Sequence, residues 1–353
     1  MDAGTSFDGD VQNAFDNQLE YCKRNDAPIT ARIVRALRDA LAADEGAPFL
    51  NRIRDWQGVA LADGLPLRAA GALHGLHMSG RAPELDAIYA GEPADDVTIV
   101  RAVAKAHSDW LLPWLEGPPQ TNEAGRSSGF AAGMLWLADQ GLPIRFEPFE
   151  IGSSAGINLM MDRFAWGLGG VHVGAREPLL SFTPEWRGPP PPQHALSIAT
   201  PVGCDVAPVD LTSAEQALRL KAYIWPEHTE RFARLEAAIA EAAVHPPLLT
   251  RMHAADFVEQ HLASPQAEGT TRVLVHSIVW QYLPANEKER ITAAMEAAGA
   301  RATQDRALAW IALEADRVAM AHGLQVRSWP GDGKAHRLAA AHAHGAWLEW
   351  LGA

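Results

Sequence analysis

The chain has 353 residues, of which 48% are hydrophobic and 21% are charged, and its formal net charge at pH 7 is −13. This length suits two domains, or one large domain with an elaboration, and the composition is that of a soluble globular protein. Nucleic acid is not expected as a partner, because such binding rests on clustered Lys and Arg, and the longest cluster is Lys23-Arg24.

Cysteine usage and the lack of long apolar runs predict a cytoplasmic protein without a membrane segment. Cys22 and Cys204 lie far apart, without the spacing of a metal site. The N-terminus has no positive-then-apolar signal pattern, and no apolar run reaches the roughly 20 residues of a membrane helix. We expect neither membrane contact nor a bound metal.

Residues 1–142 are predicted to form a helical cap region. Apolar residues recur there at helical spacing, and no alternating strand pattern precedes residue 144. The predicted helices cover 11–24, 28–41, 48–56, 65–78 and 93–114.

Residues 143–353 are predicted to form an α/β domain, with an inserted loop or hairpin around 165–195. Thr212-Ser-Ala-Glu215 is typical of a capping box that starts a helix. Pro330-Gly-Asp-Gly333 indicates a hairpin, and Trp347 and Trp350 are assigned to a terminal helical turn. The predicted strands cover 144–151, 195–206, 248–252, 272–279 and 308–313, followed by 324–329 and 334–340. Their alternation with helices predicts a doubly wound, mostly parallel sheet that binds its ligand at the carboxyl ends of the strands.

The first strand ends in Glu150-Ile-Gly-Ser-Ser-Ala-Gly156, which predicts a ligand-binding turn. The small residues let the backbone approach a ligand closely. A helix is expected to follow at Ile157, so its free amides would face the same space. The full glycine spacing of a dinucleotide fingerprint is absent.

The same letters satisfy G-x-S-x-G, the nucleophile elbow of α/β-hydrolases, with Ser154 as the nucleophile. Glu314 or Asp316, followed by His336, His342 or His344, would complete the serine-acid-histidine order. Against this hypothesis, helical sequence precedes the strand, a His-Gly-Gly oxyanion loop is missing, and Glu150 stands in the strand itself. A third interpretation is that the small residues only pack the following helix onto the strand.

Residues from 144 onward resemble the class I S-adenosylmethionine-dependent methyltransferases, a Rossmann-like fold. Glu150-Ile-Gly152 with Gly156 is similar to that family's first motif, and Val202-Gly-Cys-Asp205 is similar to its second strand end. Ala255-Asp256-Phe257 is similar to the third strand end, and His276 begins a segment that resembles the fourth. The resemblance implies that S-adenosylmethionine is held by Glu150, Gly152, Ser153, Ser154, Gly156, Asn158, Asp205, Asp256, Phe257 and His276.

The resemblance also implies a division of roles among these residues. Asp205 would accept the ribose hydroxyls, since a carboxylate accepts two hydrogen bonds at once. Asp256 would meet the adenine amino group, and Phe257 would cover the ring. Because Asp205 lies about fifty residues after Gly152, Glu185 is an alternative ribose acid.

Methyl transfer to a small molecule or peptide is the reaction that this resemblance implies. It demands mainly proximity and alignment, since the cofactor carries the activated group. His276 and Tyr282 are the residues proposed as an acceptor base, and Trp280 and Tyr282 are placed near the substrate. A non-catalytic member of the fold remains an alternative.

A polar cluster precedes the first strand, and a pair of histidines lies near the C-terminus. Gln120, Asn122, Glu123 and Arg126 are predicted either to hold a polar acceptor or to cap a helix through Asn122 or Thr121. His342-x-His344 suggests a metal, but a third ligand at a fixed spacing is missing.

The whole chain also resembles domain-of-unknown-function family 2332, a group of uncharacterised bacterial proteins. This resemblance implies kinship and no particular reaction. The matching stretches are Gln120–Arg126, Glu150–Leu159, Asp205–Leu211, Ile224–Pro226 and His344–Trp350.

Overall fold

The structure is a computed structural model that describes residues 6–42, 46–117, 119–316 and 321–352. The helices are α1 Ser6–Arg24, α2 Pro28–Ala40, α3 Pro48–Arg54, α4 Leu65–Met78, α5 Asp86–Tyr89, α6 Asp96–Ala106, α7 Ser108–Leu111, α8 Ser127–Asp139, α9 Ala214–Ala222, α10 Thr229–Ala242, α11 Ala254–Ala263 and α12 Ala285–Gly299. The strands are β1 Arg145–Ile151, β2 Phe164–Leu168, β3 Val171–Gly174, β4 Leu180–Phe182, β5 Glu185–Arg187, β6 Ser197–Ile198, β7 Val202–Asp205, β8 Leu248–Arg251, β9 Thr270–Ser277, β10 Arg306–Asp316, β11 Ala321–Trp329, β12 His336–Ala341 and β13 Trp347–Trp350.

The chain divides into two compact units. The helical unit consists of 1–121 and 212–235, and the α/β unit consists of 122–211 and 236–353. The sequence placed the boundary at 142/143. The structure instead assigns α8 to the α/β unit and the later segment 212–235 to the helical unit.

The segment 212–235 joins the helical unit through Glu227. Its carboxylate accepts hydrogen bonds from the backbone N–H groups of Ile29 at 2.6 Å and Thr30 at 2.9 Å, and from the Thr30 hydroxyl at 2.8 Å. These are the free amides at the start of α2, which a negative charge stabilises. Glu227 therefore caps a helix about 200 residues away.

Close packing in the helical unit depends on two glycines of α4. A Cβ added at Gly71 would lie 2.7 Å from the Tyr223 ring, and one at Gly75 would overlap the Trp114 ring. The long predicted helix 93–114 is interrupted, because His107 has the non-helical angles φ −120° and ψ 22° between α6 and α7.

The sheet of the α/β unit has ten strands, nine of them in the order β5-β13-β12-β11-β10-β9-β1-β7-β8, with β6 also paired to β1. The strands from β8 to β10 are parallel, whereas β11, β12 and β13 add antiparallel pairings. The sheet is therefore mixed, although most of its pairings are parallel, as the sequence predicted. After β1, the chain adds β7 and β8 on one side of that strand, and then β9 and β10 on its other side. The strand order therefore reverses between β1 and β9.

Helices lie on both faces of this sheet. Alternate residues of β10 point to opposite faces and contact different helices. On one face, the glycines of α8 contact Leu313 and Ile311. On the other face, Leu308 and Trp310 belong to a buried cluster with Ile291 and Met295 of α12. Small residues on α8 allow it to approach the strands closely.

Several local predictions are corrected. Residues 157–163 after the Glu150 turn form a 3-10 helix rather than an α-helix, and β2, β3 and β4 then form a separate small sheet. The N-cap of α9 is Ser213, not Thr212. Trp347 and Trp350 lie on β13 rather than on a helical turn, because this segment pairs with β12 and β5.

Candidate functional site

Strained backbone follows both central strands where the strand order reverses. β1 runs into Gly152, Ser154 and Gly156, whose φ angles are +66°, +53° and +73°, and β9 runs into Ile278 at +54°. Glycine adopts such angles readily, but Ser154 and the β-branched Ile278 do not. Strain of this kind concentrates at functional sites, and the carboxyl ends of β1 and β9 are therefore the candidate site.

Asp205, at the end of β7, holds the turn after β1 in shape. Its Oδ2 accepts a hydrogen bond from the backbone N–H of Ser154 at 2.9 Å, and its Oδ1 accepts one from that of Ala207 at 2.8 Å. Both carboxylate oxygens of Asp205, the predicted ribose acid, therefore already accept hydrogen bonds from backbone N–H groups. The alternative acid, Glu185, lies on the edge strand β5 beside Arg187, six strands from β1 along the sheet order.

Glu150 is a buried carboxyl group with one unpaired oxygen. It is 2% exposed, and its Oε1 accepts a hydrogen bond from the Asn158 side-chain amide at 2.9 Å. Among the described residues, Glu150 Oε2 and Asn158 Oδ1 have no hydrogen-bond partner. Burial raises the pKa of Glu150 to about 7, and Asn158, Ser153 and the charge of Arg126 offset only part of this rise. The carboxyl group is therefore poised near neutral pH, which is typical of functional sites.

The polar cluster before α8 reaches the same turn. Asn122 Oδ1 accepts a hydrogen bond from the backbone N–H of Ile157 at 2.9 Å. Glu123, and not Asn122 or Thr121, caps the helical segment by accepting from Gly125 N at 3.0 Å. Arg126 is 8% exposed and donates to the Ala343 carbonyl at 2.8 Å. Asn122 therefore supports the turn, and Arg126 places a positive charge near Glu150.

A histidine-carboxylate pair follows at the end of β9. His276 is 1% exposed, and its Nδ1 lies 2.6 Å from Glu314 Oε1 on β10. The indole N–H of Trp310 donates to His276 Nε2 at 2.8 Å. Because an indole nitrogen only donates, Nε2 must accept, so His276 is neutral and its proton is on Nδ1.

A cavity of about 690 Å³ opens beside this pair. This volume lies in the range of small-molecule sites. Its described lining includes the two rings Trp280 and Trp310, the charged side chains Glu314, Asp316 and Arg327, and the small residues Ala312 and Gly323. Of the residues predicted from sequence, His276 and Trp280 contribute to it, as do Glu314 and Asp316, the candidate acids of the hydrolase hypothesis.

Other predicted site residues lie outside both the Glu150 turn and the cavity beside His276. Tyr282 is 67% exposed, and Asp256 is on the first turn of α11, where it accepts from Arg290 at 2.7 Å. Phe257 is buried in the core against Phe149. Gln120 belongs to the helical unit.

The sequence profile of domain-of-unknown-function family 2332 (DUF2332), described as an uncharacterised protein conserved in bacteria, matches residues 12–350. The chain belongs to this family. Neither the curated proteins nor the solved structures contain a match to it.

Three of the stretches that resemble the family meet at the Glu150 turn. Besides the bonds of Asn122 and Asp205, Val209 N donates to the Ser154 carbonyl at 3.0 Å. Gly125 packs so closely on the last stretch that an added Cβ would lie 2.7 Å from His344 O. Three of the stretches and residues 122–126 of a fourth thus lie in the α/β unit, while Ile224–Pro226 lies in the helical unit.

Two kinds of feature are absent from the described part of the chain. None of its helices is both long and apolar enough to cross a membrane. Nor do its His, Cys, Asp and Glu side chains form a group of three or more that could hold a metal ion. His342 and His344 flank the turn between β12 and β13, with the backbone N–H of His344 donating to His342 Nδ1 at 3.2 Å.

Sequence reasoning missed the cavity, because the predicted strand ended at residue 313 and therefore left Glu314 and Asp316 outside it. Trp310, Ala312, Glu314 and Asp316 alternate along β10, and alternate residues share one face of a sheet. An aromatic residue, a small residue and two acids at alternate positions are the signal that would have indicated a cavity on this face of β10.

Proposed function

We propose that the α/β unit binds S-adenosylmethionine at the carboxyl ends of β1, β7, β8 and β9, and transfers its methyl group to a small molecule or peptide. The supporting observation is the strand order. In order of appearance among β1, β7, β8, β9 and β10, the strands lie as 3-2-1-4-5. This is the arrangement of doubly wound sheets, which bind nucleotides where the order reverses.

The residues around the Glu150 turn suit such a ligand. Glu150 Oε2 and Asn158 Oδ1 are buried acceptors that no described residue satisfies. Buried polar atoms are normally paired, and a ligand bearing amino or hydroxyl groups would pair them. Asp256 lies just after β8 on the side of the sheet where adenine is expected, and its 53% exposure leaves it accessible.

The cofactor would supply an activated methyl group, and the chain would supply position and exclusion of water. The cavity beside Trp280 would hold the acceptor. His276 cannot act as a base in this arrangement, because Trp310 occupies its Nε2 and Glu314 its Nδ1–H. The proposal therefore relies on alignment of the reactants rather than on a general base.

Calorimetric titration tests the cofactor proposal. We expect saturable binding of S-adenosylmethionine and S-adenosylhomocysteine, weakened about tenfold in Asp256→Ala by the loss of one charge-assisted hydrogen bond. Glu259→Ala is the matched control, because Glu259 lies one turn later on α11 and accepts from the same Arg290 at 2.6 Å. No binding at millimolar ligand would refute the cofactor, and equal weakening in both variants would refute the adenine contact.

A serine hydrolase is the second candidate, and the strained φ of +53° at Ser154 favours it. A nucleophile elbow places its serine on such a turn. A fluorophosphonate probe that labels Ser154, with labelling lost in Ser154→Ala, would support this function instead. We expect no labelling.

A further inference from the structure

The cavity beside His276 exists because small residues lie on one face of β10 and β11. Trp310, Ala312 and Glu314 share a face of β10, and Gly323 is paired with Glu314 across the strands. The helix α12 covers this face at Trp310, within a buried cluster. Toward the carboxyl end of β10, Ala312 and Gly323 are too small to fill the space above the sheet. This unfilled space is the cavity, and the two residues form its floor.

Glu314 brings a persistent negative charge to this space. Its Oε1 accepts from His276 Nδ1 and from the backbone N–H groups of Val279 at 3.1 Å and Trp280 at 3.2 Å. Hydrogen bonds donated to a carboxylate oxygen favour its ionised form, so these three contacts stabilise the negative charge of Glu314. All three contacts use Oε1, and no described residue binds Oε2, which is therefore available to a ligand.

The neighbouring charges do not neutralise Glu314. His276 is neutral, since its Nε2 accepts from Trp310. Arg327, the basic side chain in the described lining, donates to Glu296 at 2.9 Å, and Asp316 forms an ion pair with Arg337 at 2.9 Å. Among the charged side chains of the described lining, the one without a described partner of opposite sign is therefore Glu314.

Aromatic rings complete the lining. Trp280 stacks on His276 at a ring distance of 5.3 Å and meets Trp310 edge to face at 5.4 Å. The guanidinium of Arg327 lies 5.5 Å from the Trp310 ring, as in a cation–π pair. Trp280 is therefore the indole of the cavity that is left to pair with a ligand.

We propose that this cavity binds an organic cation, held between the Trp280 ring and Glu314. An indole and a carboxylate in a partly dry cavity select a positively charged, weakly hydrated group such as an alkylated ammonium or a sulfonium. The inference stands apart from the proposed methyl transfer. If that function holds, the cation is either the acceptor amine or the cofactor's own sulfonium.

Choline and its uncharged isostere, in which carbon replaces the ammonium nitrogen, are the probes. Calorimetry on the full chain should show choline binding at least about tenfold more tightly than the isostere. The preference should vanish in Glu314→Gln, which keeps the shape and removes the charge. Trp280→Leu should weaken choline about tenfold.

Two further variants keep the test decisive. Ala312→Leu fills the cavity floor without altering a charge and should abolish binding of both probes. Glu268→Gln is the control, because it removes a carboxylate that is 73% exposed and outside the lining, and binding should not change. Equal affinity for the two probes, no choline binding at millimolar concentration, or undiminished binding in Ala312→Leu would overturn the proposal.

Competition separates the two sources of the cation. Displacement of choline by S-adenosylmethionine would assign the cavity to the sulfonium, and simultaneous binding would assign it to an amine. Choline binding without any S-adenosylmethionine binding would keep the cation site and refute the proposed methyl transfer.

Discussion

Gly152→Ala is expected to lower the free energy of unfolding by about 2–4 kcal/mol. Its φ of +66° costs a residue with a side chain about 1 kcal/mol, and the added Cβ, which would lie 2.8 Å from Val279 Cβ, costs about 1–3 kcal/mol of overpacking. Urea unfolding of the wild type and the variant measures the loss.

Gly269→Ala separates the two causes. Gly269 has a φ of +69°, but no described atom lies within 4 Å of an added Cβ, so only the conformational cost of about 1 kcal/mol is expected. Combining Gly152→Ala with Val279→Ala should recover part of the overpacking cost. If Gly152→Ala were no more harmful than Gly269→Ala, the contact between the two turns would not be tight.

Glu150 is expected to make the protein less stable as the pH rises from 4.5 to 7. Its pKa is about 7 in the folded protein against 4.5 without burial, so the folded state keeps a proton that the unfolded chain releases. Stability is therefore greatest below pH 4.5 for this group and is lost as the pH passes 7. The total is about 3 kcal/mol, since one pKa unit corresponds to about 1.4 kcal/mol.

Glu150→Gln removes this titration while keeping the hydrogen-bonding shape. Denaturant unfolding at pH 5 and pH 8 should show the variant gaining stability relative to the wild type by about 3 kcal/mol between the two. Glu185→Gln is the control, because Arg187 lowers the pKa of the exposed Glu185, and its proton is lost below this range. Parallel pH profiles for the wild type and Glu150→Gln would contradict the buried, protonated carboxyl.

One short segment at the carboxyl end of β9, residues 276–279, contacts both the cavity and the turn after β1. His276 faces the cavity, and Val279, three residues later, packs against Gly152 of the turn after β1. Ile278, with its strained φ, lies between them. A ligand that moves this segment would therefore affect both places, which suits a reaction between a nucleotide at one and an acceptor at the other.

The sequence by itself determined the features that depend on local patterns. Helical spacing located α2 and α4, the apolar run 272–279 located β9, and Pro330-Gly-Asp-Gly333 lies between the antiparallel strands β11 and β12. The Glu150 turn was also visible, because its glycines are needed for the φ angles of the backbone there. Membership of the family was likewise recognised from short stretches of sequence and is confirmed over residues 12–350.

Only the tertiary structure decided the features that depend on distant partners. Glu227 draws 212–235 to the helical unit by capping α2, and Trp347–Trp350 is a strand because β12 and β5 supply its hydrogen bonds. The cavity required β10 and β11 to pair so that Glu314 faces Gly323. Periodicity reports which side of an element is apolar, but strand pairing and the faces that remain uncovered follow from contacts between residues far apart in the chain.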